Sequence, residues 1–239
     1  LLPMMTSRER VLTAFAHQEP DRVPAWCGAS AGFWAKAKET LGLDDEGLRL
    51  SFHDDFRRVS AGDGAPKKPL THPRANARTV FGVEREGLGY GQPVHHPLAG
   101  ASLDEVHAYP WPDPVWVVTD GIGAEARAYS GEYAILGGDW SPFWHDAIDL
   151  FGMENLMVDM LERPEVVHAL MGHITDYYVA SSERIFSVAG KHIDIFFIGN
   201  DFGSQHGPLI SEPLFRAYVL PHLRRLIRLG HDHGMKVML

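Results

Sequence analysis

The sequence has 239 residues, 45% of them hydrophobic and 22% charged, with 24 glycines and 16 prolines, a composition typical of folded globular proteins. Its one cysteine, Cys27, excludes an internal disulfide framework and a Cys-x-x-Cys zinc finger. The formal net charge is −9 and no run of Lys or Arg exceeds two residues, so the sequence argues against nucleic-acid binding.

The chain shows neither a membrane span nor a signal peptide. Its apolar runs fall far short of the roughly 20 residues that a transmembrane helix needs. Residues 1–5 lack the basic and long apolar regions of a signal peptide. We therefore expect a cytoplasmic protein that acts without a membrane.

In the N-terminal part, helix and strand patterns alternate. An apolar stripe behind a Thr/Ser cap predicts a helix over residues 6–15, and a second helix is predicted over 33–41. Between them, the short apolar run 23–27 predicts a first strand. A second strand is predicted over 56–60, ended by the glycines and proline that follow.

Residues 65–115 are rich in Pro and Gly and predict an irregular insertion. Strand character over 79–84 and 89–95 predicts a β-hairpin within it. A short helix is predicted to start at Ser102, and the three prolines of residues 109–114 exclude both a helix and a central strand there.

The C-terminal half repeats the strand and helix pattern. Its predicted strands cover 133–137, 193–198 and the residues from Lys236 onward. Its predicted helices cover 146–161, 164–189 and a segment that Ser211 caps, that Pro221 kinks and that Gly234 ends. Strands that alternate with helices predict a parallel α/β architecture.

The length bears on whether this architecture is complete. A full (β/α)8 barrel typically has about 250 residues, but the insertion takes roughly fifty of these 239 and only five core strands are predicted. We therefore expect residues 1–239 to form a single incomplete domain, an N-terminal portion truncated after about five strands.

Several motifs resemble the uroporphyrinogen decarboxylase superfamily. They are Thr6 to Leu12, Pro20 to Pro24, Gly199 to Ser211, the helix around Pro221, and Gly234 to Leu239. Residues 54–57, 96–98 and 109–114 resemble its uncharacterised bacterial branch, which is similar to methyltransferases that move methyl groups between corrinoid proteins and thiols. The resemblance implies a (β/α)8 TIM barrel with its site at the C-terminal ends of the strands.

The resemblance also implies a choice between functions. The decarboxylases carry an arginine in the loop after the first strand and a tyrosine at a position that Ile148 occupies here, whereas residues 27–32 contain no arginine. Recognition of a substrate with eight carboxylates depends on such charge pairing, so corrinoid- or thiol-linked methyl transfer is favoured. Uroporphyrinogen decarboxylation is the first alternative, and an inactive or ligand-binding barrel fragment is the second.

The cofactor and partner expectations follow from the same resemblance. In the methyltransferases, the zinc ligands come after the strand that Lys236 begins here. We therefore expect no cofactor within this chain and a zinc ion only in a longer protein. The chain alone is expected to be inactive. The expected partners are a small-molecule substrate, a corrinoid protein and a second copy of the chain, which would form a homodimer.

The catalytic candidates are Asp201 and His145. Asp201 follows the clearest buried strand, where a barrel places catalytic groups; capping of loop amides is the alternative role. His145 follows the third predicted core strand and serves as a base or substrate contact, or is a surface histidine.

The substrate-binding candidates are Arg58, Asp63, Trp140, Gln205 and His206. Alternation along a strand places one of Arg57 and Arg58 toward the barrel interior, and the other is expected to be a solvated charge. Asp63 follows its strand on the catalytic face, whereas Asp55 precedes that strand on the stability face. The alternatives are core packing for Trp140 and hydrogen bonding within the loop for Gln205 and His206.

Overall fold

The computed structural model describes residues 4–87, 89 and 91–239. Its helical segments are α1 (Ser7–Phe15), α2 (Ala31–Leu41), α3 (Asp45–Ser51), α4 (Leu103–Ala108), α5 (Ile122–Tyr129), α6 (Phe143–Phe151), α7 (Met153–Glu162), α8 (Pro164–Ala189), α9 (Glu212–Leu214) and α10 (Leu220–Asp232). Its strands are β1 (Phe56–Arg58), β2 (Gly62–Asp63), β3 (Ala77–Arg78), β4 (Glu84–Glu86), β5 (Gln92–Pro93), β6 (Val117–Val118), β7 (Ala134–Gly137), β8 (Ile195–Phe197), β9 (Gly203–Ser204), β10 (Gly207–Pro208) and β11 (Lys236–Met238). None of the described helices is both long and apolar enough to cross a membrane.

The main sheet has the strand order β1-β7-β8-β11, and all three pairings are parallel. All four residues of β7 are buried. Side chains alternate between two apolar clusters: Ile135 joins the large cluster under α6 and α8, and Leu136 joins the smaller one that contains Val11 of α1. Both faces of the sheet therefore carry apolar side chains, one face packed under α6 and α8 and the other partly covered by α1.

The predicted first strand over 23–27 is wrong. No ladder forms there, and Val23 is 83% exposed. The segment is instead bound to the turn before β1: Ala25 N–H donates to Asp55 Oδ2 at 2.8 Å and Cys27 N–H donates to Asp54 Oδ2 at 3.4 Å. The carboxylates thus accept hydrogen bonds from backbone N–H groups that, in a strand, would donate to the carbonyls of a neighbouring strand. In the described chain the main sheet therefore has four strands instead of the five expected.

Other elements differ in their bounds. The helix predicted over 146–161 is two helices, α6 and α7, separated at Gly152, whose φ of 81° is not helical. The insertion contains the three-stranded antiparallel sheet β3-β4-β5 where one hairpin was predicted, and Tyr90 of the predicted strand 89–95 lies outside the described residues. A π-helical turn precedes Pro221, where the kink was predicted.

A buried ion-pair network fixes the start of β1. Asp55 is fully buried and accepts hydrogen bonds from Arg10 Nη1 at 2.6 Å, Arg22 Nη2 at 2.7 Å and the amide of Ala25. Burial alone would raise the pKa of Asp55, but these hydrogen bonds together hold it below its usual value. The network ties α1 and the segment after it to the sheet.

The loops after β7 and β8 are locked together. Gly199 N–H donates to Trp140 O at 2.9 Å, and a Cβ atom at Gly199 would lie 1.2 Å from Trp140 Nε1. Asn200 accepts from Trp144 N–H and donates to Ser141 O, both at 3.0 Å. Only glycine at position 199 lets the indole lie across the second loop.

Asp55→Asn is expected to lower the free energy of unfolding by about 3–5 kcal/mol, because it removes the carboxylate partner of a buried arginine. Since the folded pKa of Asp55 is lowered, its stabilisation is present above the unfolded pKa of about 3.9 and is lost as the pH falls through the folded value. Urea unfolding at neutral pH measures the effect. The matched control is Asp45→Asn, which breaks an exposed pair with Lys38 and should cost less than about 1 kcal/mol; equal losses in the two variants would contradict this account.

Gly199→Ala is expected to cost about 1–3 kcal/mol or more, because the new methyl group overlaps the Trp140 indole. The change should also alter the near-ultraviolet circular dichroism of the tryptophans. Gly203→Ala is the control in the same loop, where the nearest atom lies at an ordinary 3.5 Å. A Gly199→Ala protein as stable as the Gly203→Ala protein would show that the indole does not occupy this position.

Candidate active site

A cavity of about 260 Å³ opens at the C-terminal edge of the main sheet, beside the ends of β1 and β7. Three parts of the chain form its walls: the two strand ends, the β2–β6 ribbon, and α8. The polar and aromatic lining residues are Arg58, Ser60, Asp63, Trp116, Asp139, Trp140 and Tyr177. Parallel barrel sheets place their reactive groups at this edge.

Arg58 is the last residue of β1 and faces this cavity. Its guanidinium carbon lies 5.1 Å from the centre of the Trp140 ring, a cation–π contact that holds the charge at the cavity wall. Among the described residues, Arg58 is the one Lys or Arg in the lining. The described lining therefore carries one positive charge.

Arg57 lies on the opposite side of β1 from Arg58, and its surroundings differ from those expected. It is not a solvated charge: the residue is only 3% exposed, its Nη2 lies 2.6 Å from Glu46 Oε1, and its guanidinium packs 3.6 Å from the Tyr133 ring centre. The alternation of the two arginines was predicted correctly, but the outward face of β1 is covered by α3, which the sequence pattern did not reveal.

Asp139 is a cavity residue that the sequence analysis missed. It lies two positions after β7, its Oδ2 accepts from Ser181 Oγ at 2.9 Å, and its backbone N–H donates to Ser182 Oγ at 3.1 Å. Burial raises the pKa of Asp139, while the Ser181 hydrogen bond and the Arg58 charge offset part of the rise. The signal that would have found Asp139 is the one used for Asp201, a carboxylate just past a buried strand.

Tyr177 and Asp63 form other parts of the wall. Tyr177 is 8% exposed, and burial raises its pKa, so its hydroxyl stays protonated. Asp63 is exposed on β2, and its Oδ1 accepts from the amide of Ala65 at 2.9 Å. Asp63 thus lies at the cavity, whereas Asp55 lies in the ion-pair network before β1.

His145 and Asp201 meet beside this cavity but do not line it. The backbone N–H of Asp201 donates to His145 Nε2 at 3.1 Å, and Asp201 Oδ2 lies 3.8 Å from the same nitrogen. An accepting Nε2 places the ring proton of a neutral imidazole on Nδ1. The Asp201 carboxylate is 89% exposed, so this pair is open to solvent.

Gln205 and His206 lie away from the cavity. They occupy the exposed turn between β9 and β10, where the amide of His206 bonds to Ser204 Oγ at 3.2 Å. The structure thus groups Arg58, Asp63 and Trp140 in one place and His145 with Asp201 in another. Neither group includes the two residues of this turn.

A zinc site does not fit the residues described. Across 4–87, 89 and 91–239, no three His, Cys, Asp or Glu side chains are grouped so that they could hold a metal ion. Cys27, the one thiol, lies half-buried in the segment before α2.

Comparison with known proteins shows which family has sequences similar to this chain. The uroporphyrinogen decarboxylase (URO-D) family model matches residues 81–239. Uroporphyrinogen decarboxylase of Xanthomonas euvesicatoria pv. vesicatoria is 22% identical over 94% of this chain, and that of Myxococcus xanthus is 23% identical over 92%. The chain spans 65% and 64% of the lengths of these two relatives.

A solved structure agrees with these matches at the level of the fold. A methyltransferase from Methanosarcina mazei superposes with a TM-score of 0.60 over 98% of this chain and 68% of its own, at 15% sequence identity. At that identity the match shows a shared parallel α/β fold of the barrel type and nothing about the reaction. The family model alone covers more than half of the sequence, and the chain therefore belongs to the uroporphyrinogen decarboxylase family.

Proposed function

We propose that this chain carries the small-molecule site of a methyltransferase, which moves a methyl group from a methylated corrinoid to a thiol that bears an anionic group. The observation that carries the proposal is the cavity of about 260 Å³ with Arg58 as its one described cation. A methyltransferase shares this fold, so the fold is compatible with such a reaction. Since the chain spans about two thirds of its relatives, the activity is proposed for the full-length protein.

The cavity suits a small, singly charged substrate. Its volume lies below the 300–1,000 Å³ or so of pockets that hold drug-sized ligands. A guanidinium binds a carboxylate or similar anion through paired, charge-assisted hydrogen bonds. The neighbouring rings of Trp116, Trp140 and Tyr177 exclude water from the bound molecule and strengthen that attraction.

The reaction itself is a displacement at the methyl carbon. A methylcorrinoid would supply the methyl group, and the deprotonated sulfur of the substrate would accept it, the thiol proton passing to solvent. Arg58 would contribute by fixing the thiol substrate, since holding two reactants in line removes much of the entropic barrier.

Uroporphyrinogen decarboxylation is the second candidate, because the named relatives are uroporphyrinogen decarboxylases. A substrate with eight carboxylates needs several cationic groups. One arginine in the described lining does not provide them. The geometry therefore supports the smaller substrate better.

The test is to incubate the full-length protein with methylcobalamin and mercaptoacetate and to follow the loss of methylcobalamin absorbance. Methyl transfer is expected, with a higher kcat/KM for mercaptoacetate than for uncharged 2-mercaptoethanol. Arg58→Gln should lower kcat/KM for mercaptoacetate by about 10- to 100-fold, the worth of a charge-assisted hydrogen bond, and should change 2-mercaptoethanol little.

Arg127→Gln is the control, because Arg127 is an exposed arginine of α5 that does not line the cavity. This variant should have the same kcat/KM as the parent protein with both thiols. Release of carbon dioxide from uroporphyrinogen without any methyl transfer would overturn the proposal in favour of the second candidate.

A further inference from the structure

We infer that the outer face of α10, together with α8, forms a second binding site that takes the diphosphate group of a small molecule. The site is a groove of about 380 Å³ that shares no lining residue with the cavity beside β1 and β7. Its lining combines Arg224, Arg225 and Arg228 with a short apolar wall. The inference is therefore independent of the proposed methyl transfer.

The spacing of the arginines is the first argument. Leu223 and Leu226 are buried on the inner face of α10, whereas Arg224, Arg225 and Arg228 are exposed on its outer face. Residues four positions apart on a helix lie on one face, one turn apart. The guanidinium groups of Arg224 and Arg228 can therefore reach two adjacent phosphoryl groups of one molecule.

The unbalanced charge of this face is the second argument. The chain has 31 acidic residues against 22 basic ones, so acidic partners are abundant. Nevertheless, within residues 4–87, 89 and 91–239, the side chains of Arg224 and Arg228 have neither an ion pair nor a hydrogen bond. Like charges four positions apart destabilise a helix. A bound anion would remove that repulsion.

Arg225 supplies a third positive charge in a fixed position. Its Nη2 donates to Asp176 Oδ1 at 2.8 Å, which ties it to α8 across the groove. A guanidinium has five N–H donors, and this contact uses one of them. The remaining donors of Arg225 are available to a ligand that Arg224 and Arg228 also bind.

The other lining residues give the groove a direction. Val179, Pro221 and Leu229 form its apolar wall, and Asp232 lies one helical turn beyond Arg228. The carboxylate of Asp232 repels an anion, so the diphosphate is expected near Arg224 and the organic part of the ligand along Leu229. The volume of the groove lies within the range of roughly 300–1,000 Å³ of small-molecule sites.

The type of cation favours phosphate over other anions. A guanidinium is planar and binds two oxygens of one phosphoryl group through parallel, charge-assisted hydrogen bonds. A diphosphate presents two such groups side by side, which matches two guanidinium groups one helical turn apart. A single phosphate or a sulfate has only one group and can use only part of this arrangement.

The test is a calorimetric titration of the full-length protein with inorganic pyrophosphate, at an ionic strength of about 0.15 M, where distant surface charges are screened. A single saturable binding event is expected. Orthophosphate should bind at least about tenfold more weakly, because it loses a charge-assisted contact. Arg224→Gln and Arg228→Gln should each weaken pyrophosphate binding by about tenfold for the same reason.

Two further variants locate the site. Arg127→Gln makes the same change of charge at an exposed arginine of α5 outside the groove, and its affinity for pyrophosphate should equal that of the parent protein. Asp232→Asn removes the one carboxylate of the described lining and should strengthen the binding severalfold. Circular dichroism of each variant checks that it folds like the parent protein.

Three results would overturn the inference. The first is the absence of saturable pyrophosphate binding by the parent protein. The second is an equal loss of affinity in Arg127→Gln and Arg228→Gln, which would show a general attraction to the protein surface. The third is orthophosphate binding as tight as that of pyrophosphate, which would make the groove a site for an adventitious ion only. Methyl-transfer activity enters none of these results, so the proposed function is tested separately.

Discussion

The parallel ladder β1-β7-β8-β11, with apolar side chains on both faces, is the constraint on which the rest of the structure depends. Polar side chains gather near the two ends of its strands. At the edge before β1, the carboxylate of Asp55 meets two arginines and forms a structural network. At the opposite edge, Arg58 and Asp139 line a cavity.

The two edges show how the same residue types do different work. The Asp55 carboxylate accepts several strong hydrogen bonds, which lower its pKa despite full burial. Its charge binds α1 to the sheet. The Asp139 carboxyl accepts hydrogen bonds from the Ser181 hydroxyl and from the backbone of Ser141 and Trp140, but burial outweighs them and raises its pKa.

Much of the fold could be predicted from local patterns. The helix of residues 164–189 has a proline in its first turn, a long apolar stripe and a glycine stop, and the structure begins and ends it at those residues. The structure of segment 23–27 could not be predicted correctly, because its backbone amides donate to the carboxylates of Asp54 and Asp55 instead of to a strand. The hydrophobic pattern of the sequence does not reveal such hydrogen bonds. The break at Gly152 was hidden because apolar periodicity continues across it.

The candidate site could be predicted only in outline. Alternation along a strand led to Arg58, and the rule that reactive groups follow parallel strands led to Asp63, His145 and Asp201. Arg58, Asp63 and Trp140 line one cavity, whereas His145 and Asp201 contact each other. The same rule applied to residue 139 would have found Asp139, but the serines that hold it are more than forty positions away on α8. Contacts over such separations depend on the packing of whole elements, which sequence spacing does not encode.

A crystal structure of the full-length protein with mercaptoacetate bound tests the central claim most directly, that this cavity holds a small anionic substrate at Arg58. The account predicts the ligand inside the cavity, with its carboxylate within hydrogen-bonding distance of the Arg58 guanidinium. A ligand that binds elsewhere, or one that enters the cavity with its carboxylate away from Arg58, would contradict it.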